Sequence, residues 1–351
     1  VDTKLVAKMH KAITVIQLKL EGQLIENHPE WEMDKRDIFR MVDFDRGTVI
    51  IDGREYELLD RNFPTVCHED PLALTNAENE LMSVLENSFM HSERLNSHIR
   101  FLYSKGSMYK TINGNLLFHG CIPLDENGGL QSVNIAGKHY SGKALLDKLD
   151  EIANRAYFMQ SGDEKKYAAD YMWYLWSGAC SPLYGKDKMA FFERYFLDDK
   201  ALQKENYNAY YHFSEQAEVC GRILEMFGLD PERGHIINGH VPVKIKNGER
   251  PVKAGGRLFV IDGGISKAYQ KATGIAGYTL IYDSHSLNLA EHRPFIAGES
   301  EHTPEIHLVE KLDRRANISD TDKGAELLEQ INDLRELLRA YRSGEIKESG
   351  R

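Results

Sequence analysis

The chain has 351 residues, 42% hydrophobic and 28% charged, with a formal net charge of -10. That suffices for two ordinary domains or one large sheet domain with insertions, and the acidic balance excludes the broad basic face that nucleic-acid backbones demand. No run approaches the roughly 18 apolar residues of a membrane span and the N-terminus lacks a signal-peptide pattern, so a soluble, cytoplasmic protein is expected. The four cysteines, Cys67, Cys121, Cys180 and Cys220, are too irregularly spaced for a zinc knuckle or a disulfide framework and read as reduced, mostly buried thiols.

In residues 8–24, Met9, Ile13, Ile16, Leu20 and Leu24 recur at helical intervals and predict an amphipathic helix. The period then changes. RMVDFDRGTVIIDGREYELLD alternates around Asp45-Arg46-Gly47 and Asp52-Gly53, which predicts short antiparallel strands joined by tight turns. Thr75-Asn76-Ala77-Glu78 reads as a capping box opening a helix through Leu81, Leu85 and Phe89, broken near His91 and resumed to Leu102.

From Gly114 strands and helices alternate. Asn115 to Phe118 reads as a strand, Ser141 as the cap of a helix containing Leu145, Leu149 and Ile152, and Met172 to Trp176 as part of an aromatic block. Ser214 is expected to open a helix closed by Gly228, leading into a strand before His240. Strands follow at Leu258 to Ile261 and Tyr278 to Tyr282, separated by the loop DGGISKAYQKATGIAG, with Ser284 to Ser286 as a hairpin turn into Leu287 to Ala290. Near the end, Asp320 or Thr321 caps a helix whose Leu327, Ile331, Leu334, Leu338 and Tyr341 keep three- and four-residue spacing, either as a short interchain coil or docked on its own domain. The resulting division is 1–113 (helical with a β-hairpin insertion), 114–300 (alternating α/β) and 301–351 (linker and amphipathic helix).

Two histidines stand at strand ends in matching surroundings. NLLFHGCIP ends its apolar run on His119, with Gly120 beside it and Pro123 beyond; GHIINGHVPV ends on His240, with Gly239 before it and Pro242 after. Glycine lets backbone approach closely, proline fixes the exit of the chain, and strand ends are where an α/β sheet builds its site. A lone strand-end histidine is more often structural, the reading given to His235; a matched pair points to convergence on one object. Asp262-Gly263-Gly264 adds a third strand end, and from Arg233 to Gly274 eight basic residues stand against two acidic ones. Such a set suits metal and phosphate chemistry.

HGCIP, INGHVPV, VIDGG and GIAGYTLIY resemble the last two metal motifs and closing strands of calcineurin-like metallophosphoesterases, and WYLWS at Trp173 to Ser177 resembles the block between those motifs. The long combination HGCIPLDENG, YLWSG with FERYF, GHIINGHVPVK, IDGGISKAYQ and GIAGYTL is similar to the class III fructose-1,6-bisphosphatases of bacteria, through nearly the whole chain. The resemblance implies an α/β fold, part of a four-layer αββα sandwich with helical and β-hairpin insertions and a C-terminal helix. It also implies a dinuclear centre, usually manganese with magnesium or iron as other candidates, that removes the 1-phosphate of fructose 1,6-bisphosphate in gluconeogenesis. By motif position His119 and His240 correspond to ligands of the second metal, and Lys186 or Arg194 to a phosphate-binding cation. Lys267 and Tyr269, by charge and position, are candidates to face the sugar or the distal phosphate.

The superfamily's first three motifs, of the forms DxH, GDxxDRG and GNH(D/E), are absent, and Asp43-Phe44-Asp45-Arg46-Gly47 imitates the second only as the turn of an exposed hairpin. The chain is therefore expected to correspond to the part of such an enzyme that follows the third motif. Two imidazoles without carboxylates hold a pair of hard cations poorly, so the isolated chain is expected to be inactive. No residue stands out as a general acid. The competing readings are another metallophosphoesterase, acting on phosphoproteins or dinucleoside polyphosphates, and a non-catalytic oligomerisation or regulatory module contacting other copies through the terminal helices. The matched histidines favour the enzyme.

Overall fold

The computed structural model describes residues 2–264, 266–294 and 303–347. Contacts divide the chain into two compact units, one of residues 1–108 and 121–211, the other of residues 109–120 and 212–351.

In the first unit, α1 (Thr3–Asn27) starts at Asp2, whose carboxylate accepts from the Lys4 and Leu5 amides. It runs longer than the periodic stretch, and its buried face is Thr14, Val15, Ile16, Leu18, Lys19, Gly22 and Ile25. Met9 and Ile13 are exposed, so the apolar spacing marked the helix while its core-facing side lies partly elsewhere. Strands β1 (Val42–Asp43), β2 (Thr48–Ile51) and β3 (Arg54–Glu57) form the expected antiparallel sheet, with Asp52 and Gly53 both at positive φ in the β2–β3 turn. Asp45-Arg46-Gly47 is indeed a turn, between β1 and β2.

Helices α2 (Asn76–Met90) and α3 (Glu93–Lys105) break at His91, and α2 carries the complete Thr75–Glu78 capping box. Next along the chain are β4 (Tyr109–Ile112) and β5 (Asn115–Phe118), which belong to the second unit. Back in the first unit are the hairpin β6 (Val133–Ile135) and β7 (Lys138–Tyr140), then α4 (Gly142–Phe158), α5 (Asp163–Ser177) and α6 (Phe191–Phe196). Two cores hold this unit. One joins Val15 and Leu18 of α1 to Phe39, Val49, Phe63 and Phe192; the other packs Ile25 and Trp31 against Leu145, Leu149, Ile152 and Tyr171.

Ser214 does not open the following helix. A single turn, α7 (Tyr210–Phe213), precedes α8 (Ala217–Met226), which is capped at Gln216, while the Ser214 carbonyl accepts from the Cys220 thiol. Gly228 follows α8 in the left-handed conformation that ends helices. The second unit is then completed by β8 (His235–Asn238), β9 (Val252–Lys253), β10 (Leu258–Val260), α9 (Lys267–Thr273), β11 (Gly277–Tyr282), β12 (Ser286–His292), β13 (Glu305–Lys311) and α10 (Asp322–Ser343). Its five-stranded sheet has the order β4-β5-β8-β10-β9, with β5, β8 and β10 parallel to one another. A three-stranded antiparallel sheet runs β11-β12-β13.

Fully buried Leu116, Ile236, Leu258 and Phe259 show why the parallel strands read as continuous apolar runs: both faces are covered. The stretch from Asp262 to Gly277, taken from sequence as a loop, contains α9. Thr321 caps α10 through its hydroxyl, as expected, but of this helix only Gly324 is buried. The molecule is thus mixed α/β, and no helix among the described residues is long and apolar enough to cross a membrane.

Candidate functional site

Three adjacent parallel strands of the second unit bring their C-terminal ends together. β5 delivers His119, β8 delivers Gly239 and His240, and β10 runs through Ile261 into Asp262. The ladder continues past the strands: the Gly239 amide donates to the His119 carbonyl at 2.9 Å and the Ile261 amide to the Asn238 carbonyl at 2.9 Å. The Asn238 side-chain amide donates to the Gly120 carbonyl at 3.1 Å, tying the two histidine-bearing turns. These bonds set the backbone from which the two rings project.

The rings meet. His119 Nε2 lies 3.0 Å from His240 Nδ1, with ring centroids 4.9 Å apart in an edge-to-face arrangement. At that separation one nitrogen donates and the other presents its lone pair, so no more than one of the two carries a proton. Loss of water around the ring, followed by the neighbouring His240, holds His119 below its ordinary value of 6.5, against the pull of the Asp262 carboxylate. His119 is thereby biased to the neutral form, the form in which imidazole binds a metal.

His240 has φ 67°, a left-handed backbone uncommon outside glycine and of the kind that concentrates at functional sites. Gly239 is not required by crowding: an added Cβ would meet Asp262 Cβ and the His119 carbonyl at 3.7 Å, ordinary contact. The true close approach is at Gly263, where an added Cβ would lie 2.5 Å from Gly277 Cα. Asp262 closes this turn by accepting from the Gly264 amide at 2.7 Å.

Two convergent imidazoles could supply part of a divalent-metal shell. Among the described residues no group of three or more histidine, cysteine, aspartate or glutamate side chains is placed to hold an ion. Manganese and its relatives favour several oxygen donors besides nitrogen, so this pair amounts to a partial ligand set. His235, read as structural, is buried at the opposite end of β8, its Nδ1 3.0 Å from Asn115 Oδ1 and its Nε2 2.8 Å from Glu310 Oε2.

The remaining sequence candidates stand on other elements. Tyr269, on α9, is exposed and sits against Gly264. Lys267 begins the same helix, and its side chain lies outside the described residues. Lys186 and Arg194 belong to the first unit, where one carboxylate that sequence reasoning missed holds both. Glu205 accepts from Lys186 Nζ at 2.7 Å and from the Ala190 amide at 3.1 Å, and forms an ion pair with Arg194 at 3.0 Å. An antiparallel bridge between Lys186 and Tyr207 brings these partners together, and the rings of Tyr184 and Tyr207 flank the Lys186 ammonium at 5.6 and 5.5 Å.

A family model described as Firmicute fructose-1,6-bisphosphatase matches residues 1–343. The chain belongs to this family. Among its relatives, the fructose-1,6-bisphosphatase class 3 of Clostridium botulinum is 51% identical over 354 aligned positions, taking in 99% of this chain and 54% of that protein. Those of Clostridioides difficile, at 49% over 354 positions (99% and 54%), and Bacteroides fragilis, at 51% over 352 (98% and 53%), give the same picture. The chain spans about half the length of the curated relatives it matches. No solved structure matches it.

Proposed function

We propose that the chain forms part of a fructose-1,6-bisphosphatase that hydrolyses the 1-phosphate of the sugar bisphosphate at a dinuclear metal centre, manganese for preference. The observation that carries this reading is the meeting of His119 and His240 at the ends of adjacent parallel strands, in a chain of this family. The five-stranded sheet with its helices would be a portion of a four-layer αββα sandwich. His119 and His240 would be metal ligands; when bound, divalent ions neutralise charge on the phosphate oxygens. The chain's own contribution is to hold two imidazoles at a fixed separation on one backbone ladder. Lys186 and Arg194 are proposed to bind phosphate, with Lys267 and Tyr269 as candidates to meet the rest of the substrate. Contacts between copies through the terminal helices, and a cytoplasmic setting, belong to the same reading.

The ligand inventory makes a direct prediction. Two imidazoles lack the charge to hold a pair of divalent cations, so this chain by itself should release negligible phosphate from fructose 1,6-bisphosphate with manganese. In a polypeptide of the relatives' full length containing this chain, His119→Ala or His240→Ala should each lower manganese-dependent turnover by at least about 100-fold, since losing a ligand should cost no less than losing one of its outer hydrogen-bond partners. Wild-type rates in both variants would remove the proposal.

A further inference from the structure

Glu205 is an anion already seated where an anion would be bound. Its side chain is only 11% exposed; its oxygens take two hydrogen bonds, from the Lys186 ammonium and the Ala190 amide, and an ion pair with the Arg194 guanidinium at 3.0 Å. The cations are not consumed by this. Lys186 has three ammonium protons and spends one on Glu205, while Arg194 uses a single nitrogen there and is 55% exposed, leaving the rest of its planar fork to solvent. Because both cations are held by one carboxylate, Lys186 by a hydrogen bond at 2.7 Å and Arg194 by an ion pair at 3.0 Å, their separation is limited to its width plus those two contacts. Tyr184 and Tyr207 restrict the lysine further. The result is a cation pair of net charge +1 whose free donors are held at close quarters on a fixed carboxylate.

We infer that Glu205 is a positioning residue: it holds Lys186 and Arg194 in register so that their remaining donors take a phosphate monoester together. This rests on the proposal that the pair binds phosphate, and it adds the residue that makes the pair act as one site. It also gives Glu205 an effect opposite in sign to simple charge counting. Removing a carboxylate raises the net charge of the cluster from +1 to +2, which electrostatics alone would turn into tighter anion binding. If Glu205 positions the cations, its loss frees two long side chains whose ordering the anion must then bring about, and binding weakens.

The test is titration calorimetry of this chain with inorganic phosphate at low ionic strength, for wild type, Glu205→Ala, Glu205→Asp and Lys186→Ala, with urea midpoints measured in parallel. Phosphate should bind the wild type, and Glu205→Ala and Lys186→Ala should each weaken it roughly tenfold, the scale of one charge-assisted hydrogen bond. Glu205→Asp keeps the charge and withdraws the carboxylate by one methylene, so it too should weaken binding; it serves where the alanine variant fails to fold. Unchanged or tighter binding in a folded Glu205 variant overturns the inference, as does a wild-type chain that ignores phosphate. Phosphate binding that persists while the full-length polypeptide leaves fructose 1,6-bisphosphate intact would instead sink the proposed reaction and leave the role of Glu205 standing.

Discussion

Glu205 illustrates what one residue can hide in a sequence. Burial by itself would raise its pKa, but the hydrogen bond from Lys186, the Ala190 amide and the charges of Lys186 and Arg194 outweigh this and hold it below the ordinary 4.5. A carboxylate depressed in the folded state stabilises the protein above its unfolded pKa, and that contribution disappears as pH falls through the folded value. Glu205→Gln should therefore lower the urea midpoint at neutral pH and flatten its fall on acidification below about pH 4.5; parallel profiles would separate Glu205 from the acid response. Nothing in KENYN distinguishes this glutamate, because its partners arrive through a backbone bridge formed only in the folded chain. His119 and His240 were legible because apolar runs stop at them and glycine and proline follow or precede in like fashion. Even there the glycine argument pointed to Gly239, whereas the crowded backbone lies at Gly263.

At the scale of elements, local chemistry was readable and tertiary choice was not. The Thr75–Glu78 box opens α2 as its spacing required, yet Glu78 has a second duty that no local pattern announces. Its Oε2 accepts from Lys19 Nζ at 2.8 Å, and that lysine is fully buried, donating also to the Thr65 carbonyl at 2.7 Å. Glu78→Ala removes the box and leaves a charged amine in the core. It should cost about 3–5 kcal/mol in urea unfolding, the range for breaking one side of a buried pair. The double change Lys19→Met with Glu78→Leu should cost clearly less, since no uncompensated charge remains; equal losses would show that the pair is not what fails. The period of α1 likewise marked a helix, but a buried lysine at position 19 and exposed Met9 and Ile13 break the rule that apolar means inside. Ser214 was a plausible cap by residue type, and its carbonyl is engaged with Cys220 instead.

On the scale of the molecule, alternating strand and helix grammar from Gly114 pointed to an α/β sheet, whose three central strands are parallel, while the interleaving of units across the chain left no compositional trace. Helix α10 was legible as a helix because its cap and spacing are local. Leu327, Ile331, Leu334, Leu338 and Tyr341 are each at least 40% exposed, so the stripe that defined it in sequence is not buried in this chain. Removing residues 325–351 should accordingly leave the urea midpoint of the remainder close to that of the whole chain, since of this helix only Gly324 is buried; a large loss would mean that the helix supports the fold. Light scattering on the same truncation reads the contact between copies, with a drop in mass expected if the stripe joins them.

The register of the central sheet also sets a timetable for synthesis. Asn115 of β5 lies opposite His235 of β8, 120 residues later. At ribosomal speeds of 5–20 residues per second the β4–β5 hairpin waits roughly 6–24 seconds for that neighbour. Throughout the wait, Leu116 and Phe118 present an apolar strand edge of the kind that recruits stray chains. Slower elongation would lengthen this vulnerable interval, so the yield of soluble protein should depend on translation rate as well as on final stability.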